Sequence, residues 1–256
     1  MLLAITHLPS PALQHCELTF LKSEPISMEI ANLQHQAYRA MLERCGAKVI
    51  VLDENLACPD SVFVEDPIIV FDEVAVLTSM GVESRRKESE AMERVFSKYR
   101  KIERIVLPAK IEGGDVLKIG KKIFVGESSR TNKEGIEALK TIIKPFGYEV
   151  IAVKVTGCLH LKTGATALDD KTIFINSHWV DAEAFEGFAK VEALNDEPFG
   201  VNVLKMGNIL CMNEAFPKSI ALIKSLGYTV DSCNISEFVK AEAGLTCMSV
   251  PFLSNN

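Results

Sequence analysis

A cysteine, a histidine and several carboxylates stand at separate places in this chain, and together they could do nucleophilic chemistry. Cys247 lies in the run Gly244-Leu245-Thr246-Cys247-Met248-Ser249-Val250, which reads as a short buried strand, apolar and β-branched around one small nucleophile. His160 sits in Leu159-His160-Leu161-Lys162, and acidic groups come in Val64-Glu65-Asp66 and Glu112-Gly113-Gly114-Asp115. A thiol becomes a nucleophile when positive charge or a general base lowers its pKa from about 8.5, and His160 could supply either. Carboxylates beside the thiol oppose its ionisation unless a cation lies between them. A guanidinium is such a cation, with planar N–H donors that match carboxylates two at a time. The set therefore points to a guanidinium cage with a sulfur attacking the central carbon.

Each member taken singly has a plain structural reading. Cys247 would be a small buried hydrophobe and His160 a hydrogen-bonded core histidine. Glu112-Gly113-Gly114-Asp115 would be a bend where two backbones approach, and Glu65-Asp66-Pro67 a strand end facing water. Arg85-Arg86-Lys87-Glu88 would be a solvated helix start, and Arg130 a residue leading into a helix. Internal repetition is what sets these readings aside.

Helical periods and turn chemistry alternate along the chain. Ile30, Leu33, Ala37 and Met41 are expected on the inward face of a helix capped by Ser27 and ended by Gly46, followed by the strand 48–52. Thr131-Asn132-Lys133-Glu134 reads as a capping box opening a helix with Leu139, Ile142 and Ile143 inward. Further helices are expected between Ser84 and Tyr99 and after Pro217, with a less regular one from Trp179 to Phe188. Hairpins precede these helices: 67–71 with 74–78, 116–119 with 122–125, 166–168 with 172–175, and 201–205 with 209–212. Their turns recur about 48, 50 and 37 residues apart, the range of repeat arrays. A fifth unit is completed by pairing the strand around Cys247 with Leu2 to Thr6. The expectation is one α/β domain over residues 1–256, a closed ring of five strand-strand-helix-strand units. The starts of the opening strands would converge, and they hold Glu65, Asp66, Glu112, Asp115, His160, Asn202 and Cys247.

Composition narrows the class. A chain of 256 residues, 48% hydrophobic and 24% charged, can bury a sizeable core. A net charge of -6 argues against a general nucleic-acid surface and mildly favours cationic small ligands. Met1-Leu2-Leu3-Ala4-Ile5 has no basic flank and ends too soon for a signal peptide or a membrane span, so a cytoplasmic protein is expected. Seven cysteines with no CxxC pair fit reduced thiols.

Six motifs in order make the chain resemble the dimethylarginine dimethylaminohydrolases of the guanidine-modifying superfamily, over nearly its whole length. They are Pro59-Asp60-Ser61-Val62-Phe63-Val64-Glu65-Asp66, Ser84-Arg85-Arg86-Lys87-Glu88, Glu112-Gly113-Gly114-Asp115, Ser129-Arg130-Thr131-Asn132, Leu159-His160-Leu161-Lys162 and Leu245-Thr246-Cys247-Met248-Ser249. The resemblance implies the pentein fold, a five-bladed pseudo-symmetric ββαβ propeller. It implies Cys247 as nucleophile, His160 as general acid and then base, and Glu112 as its carboxylate partner. Asp60, Glu65 and Asp66 would hold the substrate's cationic end, and Arg85 and Arg130 its α-carboxylate. Backbone at Leu18 and Ala241 would take its α-amino group, with Ala241 standing where the family usually has a larger aliphatic. The implied reaction is hydrolysis of Nω-methylated arginine to citrulline through a covalent S-alkylthiouronium, with no metal or organic cofactor. The expected partner is a small guanidine, with neither nucleic acid nor membrane, and a homodimer is allowed. Two alternatives stay open: a sibling arginine deiminase or amidinotransferase, and a non-catalytic propeller that binds without turnover.

Overall fold

The computed structural model describes residues 1–254 as two compact units, Met1–Val64 with the chain from Leu194 onward, and Glu65–Ala193. Among the described residues the strands form five three-stranded sheets, all with one plan. An antiparallel pair comes first, and the chain then crosses through a helix or helical turn to a third strand parallel to the middle one.

The first unit carries two of these sheets. In one, β1 (Leu2–His7) leads through α1 (Met28–Arg44) to β2 (Lys48–Leu52), and β1 also pairs antiparallel with the last strand of the chain, Val250–Leu253. That pairing runs from Leu2 opposite Leu253 to Ile5 opposite Val250, so the two ends of the chain share a sheet as expected. The other is built from the strands Leu204–Met206, Ile209–Asn213 and Thr229–Cys233, with the helix Pro217–Ser225 as its crossover.

The second unit carries three sheets. β3 (Ile68–Val70) and β4 (Val74–Leu77) lead through α2 (Ser89–Phe96) to β5 (Lys101–Arg104). β6 (Val116–Ile119) and β7 (Lys122–Glu127) lead through α3 (Lys133–Ile143) to β8 (Glu149–Lys154). After the single turn α4 (Leu161–Gly164), β9 (Ala165–Ala167) and β10 (Thr172–Ile175) lead to β11 (Ala189–Glu192). There the helix expected from Trp179 to Phe188 shrinks to the 3-10 turn Ala182–Phe185, packed by Phe185 against Phe124 at 4.5 Å between ring centroids. In the first unit the remaining elements are β12 (Leu204–Met206), β13 (Ile209–Asn213), α5 (Pro217–Ser225), β14 (Thr229–Cys233), α6 (Ser236–Val239) and β15 (Val250–Leu253).

Three further expectations need correction. The inward face of α1 holds Ala31, Gln34, His35, Tyr38, Met41 and Leu42, whereas Ile30 and Leu33 are 45% and 59% exposed. Polar residues turn inward because partners wait for them. Gln34 donates to Asn234 and Ser236 and accepts from the Glu237 amide, and the Tyr38 hydroxyl donates to the Leu245 carbonyl at 2.8 Å. Hydropathy alone selects the neighbouring stripe. The second correction concerns Cys247, which is not on a strand. Leu245–Met248 form a 3-10 turn, and β15 begins only at Val250. Asn202 accounts for the turn: its Oδ1 accepts from the Thr246 amide and its Nδ2 donates to the Thr246 hydroxyl, both at 3.2 Å. A Cβ at position 244 would lie within 2.7 Å of three Asn202 side-chain atoms, which is why a glycine opens this turn. The opening strand of the fourth hairpin likewise starts at Leu204, with Val201 in the helical turn Pro198–Val201.

Candidate active site

In the second unit the residues singled out above lie just ahead of opening strands. Asp66 precedes β3, Glu112 precedes the 3-10 turn Gly113–Asp115 that feeds β6, and His160 precedes α4 and β9. All three are buried. His160 Nε2 lies 2.8 Å from Glu112 Oε2, and Asp66, Glu112 and His160 offer polar atoms within 4.8 Å of one another. Glu112 Oε1 accepts from the Gly81 amide at 2.9 Å and meets Arg130 Nη1 at 3.5 Å. Arg85 lies between two carboxylates, with Nη1 2.8 Å from Asp66 and Nε and Nη2 forked onto Glu88 at 3.2 and 2.9 Å. Glu65 is paired with Lys162 at 2.5 Å.

The glycines of the Glu112 motif make this packing feasible. A Cβ on Gly114 would stand 2.6 Å from the His160 ring and 2.9 Å from an Asp66 oxygen, and one on Gly113 would overlap the Glu65 carbonyl. The bend is thus a close backbone approach and a carrier of chemistry at once. Asp115 completes it: one oxygen accepts from the Leu161 amide, and the other from Ser128 and Thr131. This ties the residue after His160 to the residue three after Glu112.

Charge sets the protonation state. Burial by itself would push the His160 imidazolium down, but Asp66, the Glu112 hydrogen bond and Asp115 together raise its pKa to about 9. For Asp66 and Glu112 burial acts upward, yet the cations around them hold both below the usual carboxylate range. Asp115 goes the other way, because burial outweighs its hydrogen bonds. The negative charge of Asp66 and Glu112 is matched by Arg85 and by the proton on His160. Such a donor set suits proton transfer better than a cage for a divalent cation.

In the first unit Cys247 is half-buried within its 3-10 turn, where its sulfur accepts from the Gly244 amide at 3.4 Å. The turn is fixed on one side by Asn202 and on the other by Tyr38, whose hydroxyl reaches both the Leu245 carbonyl and Ser249. Ala241 is buried at the turn following α6. Leu18 is half-buried in the irregular segment 16–27, and the buried Asp60 accepts from the neighbouring Glu17 amide with both oxygens, at 3.2 and 3.3 Å.

A family model described as N,N dimethylarginine dimethylhydrolase, eukaryotic, matches residues 13–196. The N(G),N(G)-dimethylarginine dimethylaminohydrolase of Pseudomonas aeruginosa is 34% identical over 86% of this chain and 87% of its own length. That of Streptomyces coelicolor is 36% identical over 96% and 95%. The chain belongs to the dimethylarginine dimethylaminohydrolase family. A solved structure of the Pseudomonas aeruginosa protein, a cysteine-to-serine mutant complexed with citrulline, superposes with a TM-score of 0.92 at 32% identity, covering 97% of this chain and 98% of that one. The five ββαβ sheets are accordingly those of the pentein fold, α/β as the repeats imply.

For a dimethylarginine dimethylaminohydrolase family member, sequence reasoning gave Glu88 and Lys162 no role in the site, and it set Asp115 and Asn202 at the starts of opening strands without a function. Glu88 and Arg85 are buried, so the solvated-start reading of their motif fails. Their three-residue spacing and opposite charges were the available signal. Lys162, two residues after His160, holds Glu65, and Asp115 and Asn202 anchor the turns that carry His160 and Cys247. No local pattern marks these roles, because each partner is at least 44 positions away in the chain.

Proposed function

We propose that this chain hydrolyses mono- or asymmetrically dimethylated L-arginine to citrulline and methylamine or dimethylamine, with residues 1–256 acting as one domain. Membership of the family supports the reaction class. The observation that carries the mechanism is a buried His160 held cationic by carboxylates, with a pKa raised to about 9. A guanidine loses an amine only if that amine leaves protonated, and His160 carries the required proton at neutral pH.

The Cys247 thiolate attacks the guanidinium carbon, a C–S bond forms, and the tetrahedral adduct collapses as His160 gives its proton to the departing amine. His160 is then neutral. It takes a proton from water, which adds to the S-alkylthiouronium carbon; the C–S bond then breaks, the hydroxyl proton passes to the departing Cys247 sulfur, and neutral citrulline is left. Glu112 keeps the imidazole oriented and stabilises its charged form. In this reading Asp60, Glu65 and Asp66 favour the substrate's positive end, Arg85 and Arg130 its α-carboxylate, and the carbonyls of Leu18 and Ala241 its α-amino group. Substrate charge assists ionisation of the thiol, so thiolate forms with binding. No cofactor enters this scheme.

The test is to incubate the protein with arginine and its methylated forms and to identify the released amine by mass. Methylamine or dimethylamine with stoichiometric citrulline is expected, together with an acid-quenched adduct on the Cys247 peptide. Ammonia from unmodified arginine would replace the reading with a deiminase, transfer to an acceptor amine with an amidinotransferase, and binding without turnover with a non-catalytic propeller. We also place the protein in the cytoplasm, a reading supported by seven cysteines of which none forms a disulfide. No helix among the described residues is long and apolar enough to cross a membrane. A homodimer is the assembly to test first, by light scattering.

A further inference from the structure

The segment 16–27 has no helix or strand, and apolar burial does not hold its tip, since Phe20 and Leu21 are 53% and 44% exposed. Gln14 and Lys240 bond its residues 24–26, and carboxylates of the first unit hold it elsewhere. Asp60 takes the Glu17 amide, and Glu237 takes the Ser27 amide at 2.8 Å. Between them, Glu242 accepts from three consecutive backbone amides. Thr19 donates to both of its oxygens at 3.0 Å, and Phe20 and Leu21 donate to Oε1 at 2.5 Å. Successive amides converging on one carboxylate form an anion-holding nest, here filled by a side chain of the same unit. Leu18 is the residue between the Asp60 and Glu242 clamps.

The backbone of Glu242 is unusual in its own right. Its φ of +59° makes it the one non-glycine residue with positive φ among the described residues. It ends α6 in a Schellman pattern: the Ala243 amide donates to the Phe238 carbonyl at 3.1 Å and the Glu242 amide to the Val239 carbonyl at 3.0 Å. That is the position at which helices most often place glycine, because a side chain there is strained. A glycine would cap the helix without strain but could not reach the segment 19–21. Strain retained where a carboxylate gathers three amides points to a role for the carboxylate.

We propose that Glu242 is a positioning residue for recognition of the substrate's α-amino group. Its backbone follows Ala241, its side chain fixes the residues that follow Leu18, and it thereby ties together the two backbone positions assigned to that group. The inference rests on the function proposed above, and it adds the residue that sets the spacing of the two carbonyls. Without the clamp the segment has only its flanking anchors, so the Leu18 carbonyl loses its fixed place while the reacting groups keep theirs.

The test compares Glu242→Gly and Glu242→Gln with the wild-type full chain. Glycine relieves the left-handed strain and removes the carboxylate, so its Tm is expected to be unchanged or higher. The KM for asymmetric dimethylarginine should nevertheless rise about tenfold or more with kcat changed less than about threefold. For 5-(N,N-dimethylguanidino)pentanoate, which lacks the α-amino group, KM should be the same in wild type and variant. Glutamine keeps the reach and one acceptor oxygen, and should fall between the two; it carries the test alone if the glycine variant does not fold. Amide hydrogen exchange at Thr19, Phe20 and Leu21 in the ligand-free protein should lose protection in the glycine variant. A merely structural cap would give a stabilised glycine variant with wild-type KM and wild-type exchange, and that result overturns the proposal. Equal KM shifts with and without the α-amino group would also overturn it. Because exchange is read without turnover, an inactive wild type would refute the proposed reaction while the exchange result still decides the clamp.

Discussion

The first unit buries His7 and His35 and the second His160, and the surroundings of His35 and His160 give opposite charge states. His35, in the first unit, packs against Tyr38 and Phe238, and burial, with Arg39 and His7 adding to it, drives its pKa down to about 3. His160, in the second, faces Asp66, Glu112 and Asp115, and these overcome an equally severe burial to raise its pKa to about 9. Burial penalises the charged form in both, so burial cannot separate a structural histidine from an acid-base one. What separates them is whether carboxylates share the buried space. The second unit concentrates its ionic groups, with Arg85 forked between Asp66 and Glu88. The first uses neutral hydrogen bonds from Tyr38 and Asn202 to set the turn of Cys247.

The comparison breaks most sharply on activity. His160→Ala is expected to lower kcat by roughly 10²–10⁴-fold, the usual worth of general acid-base catalysis. His35→Leu should leave kcat within about twofold, and similar losses in steady-state kinetics of the two variants would erase the distinction. Stability against pH tests the charge states themselves. Below pH 6.5 the unfolded chain protonates His35 while the folded one does not, so its contribution falls as pH drops from 6.5 toward 3, by up to about 1.4 kcal/mol per pH unit. His160 has the opposite sign: its contribution is complete below pH 6.5 and is lost as pH rises from 6.5 through about 9. In urea titrations His35→Leu should flatten the limb from pH 6.5 to 5, and His160→Gln the limb from 7 to 9. Interchanged limbs would reverse the assignment.

Gly114→Ala is a finer probe of the ionic cluster. Its Cβ would stand 2.6 Å from the His160 ring, so a loss of about 1–3 kcal/mol is expected in chemical denaturation, with reduced turnover as the ring moves. Gly244→Ala would meet Asn202 at 2.3 Å and should lose similar stability through the Cys247 turn, without the shift in the alkaline limb that Gly114→Ala brings. The smallest effect is assigned to α1. Leu33→Lys should change stability by no more than about 0.5 kcal/mol, whereas Gln34→Ala should cost about 1–3 kcal/mol by leaving the Glu237 amide and Asn234 without this partner. The reverse order would restore the stripe chosen by hydropathy.

What the sequence by itself determined is the repeat and the types of residue that begin each unit. Hairpins turn at Gly120 and Gly207, and helices end at Gly46 and Gly227, all with positive φ, so these signals are encoded in neighbouring residues and can be read locally. The pairing of the last strand with β1 was legible for a related reason, since four complete repeats leave a strand-helix-strand at one end and a lone strand at the other, although that strand was expected around Cys247. Tertiary structure alone decided the inward face of α1, the turn in place of a strand at Cys247, the burial of Arg85 with Glu88, and the addition of Asp66 and Asp115 to Glu112 in holding His160 charged. Each depends on a desolvated group meeting a hydrogen-bond or ionic partner. For three of them the partner is remote in the chain: residues some 200 positions from Gln34, Asn202 for the Cys247 turn, and Asp66 and Asp115 for His160. Glu88 is only three residues from Arg85, but their burial follows from Asp66 closing over the guanidinium, 19 positions away. Propensity acts between neighbours, while desolvation and pairing act through space, and no pattern along the chain carries that distance.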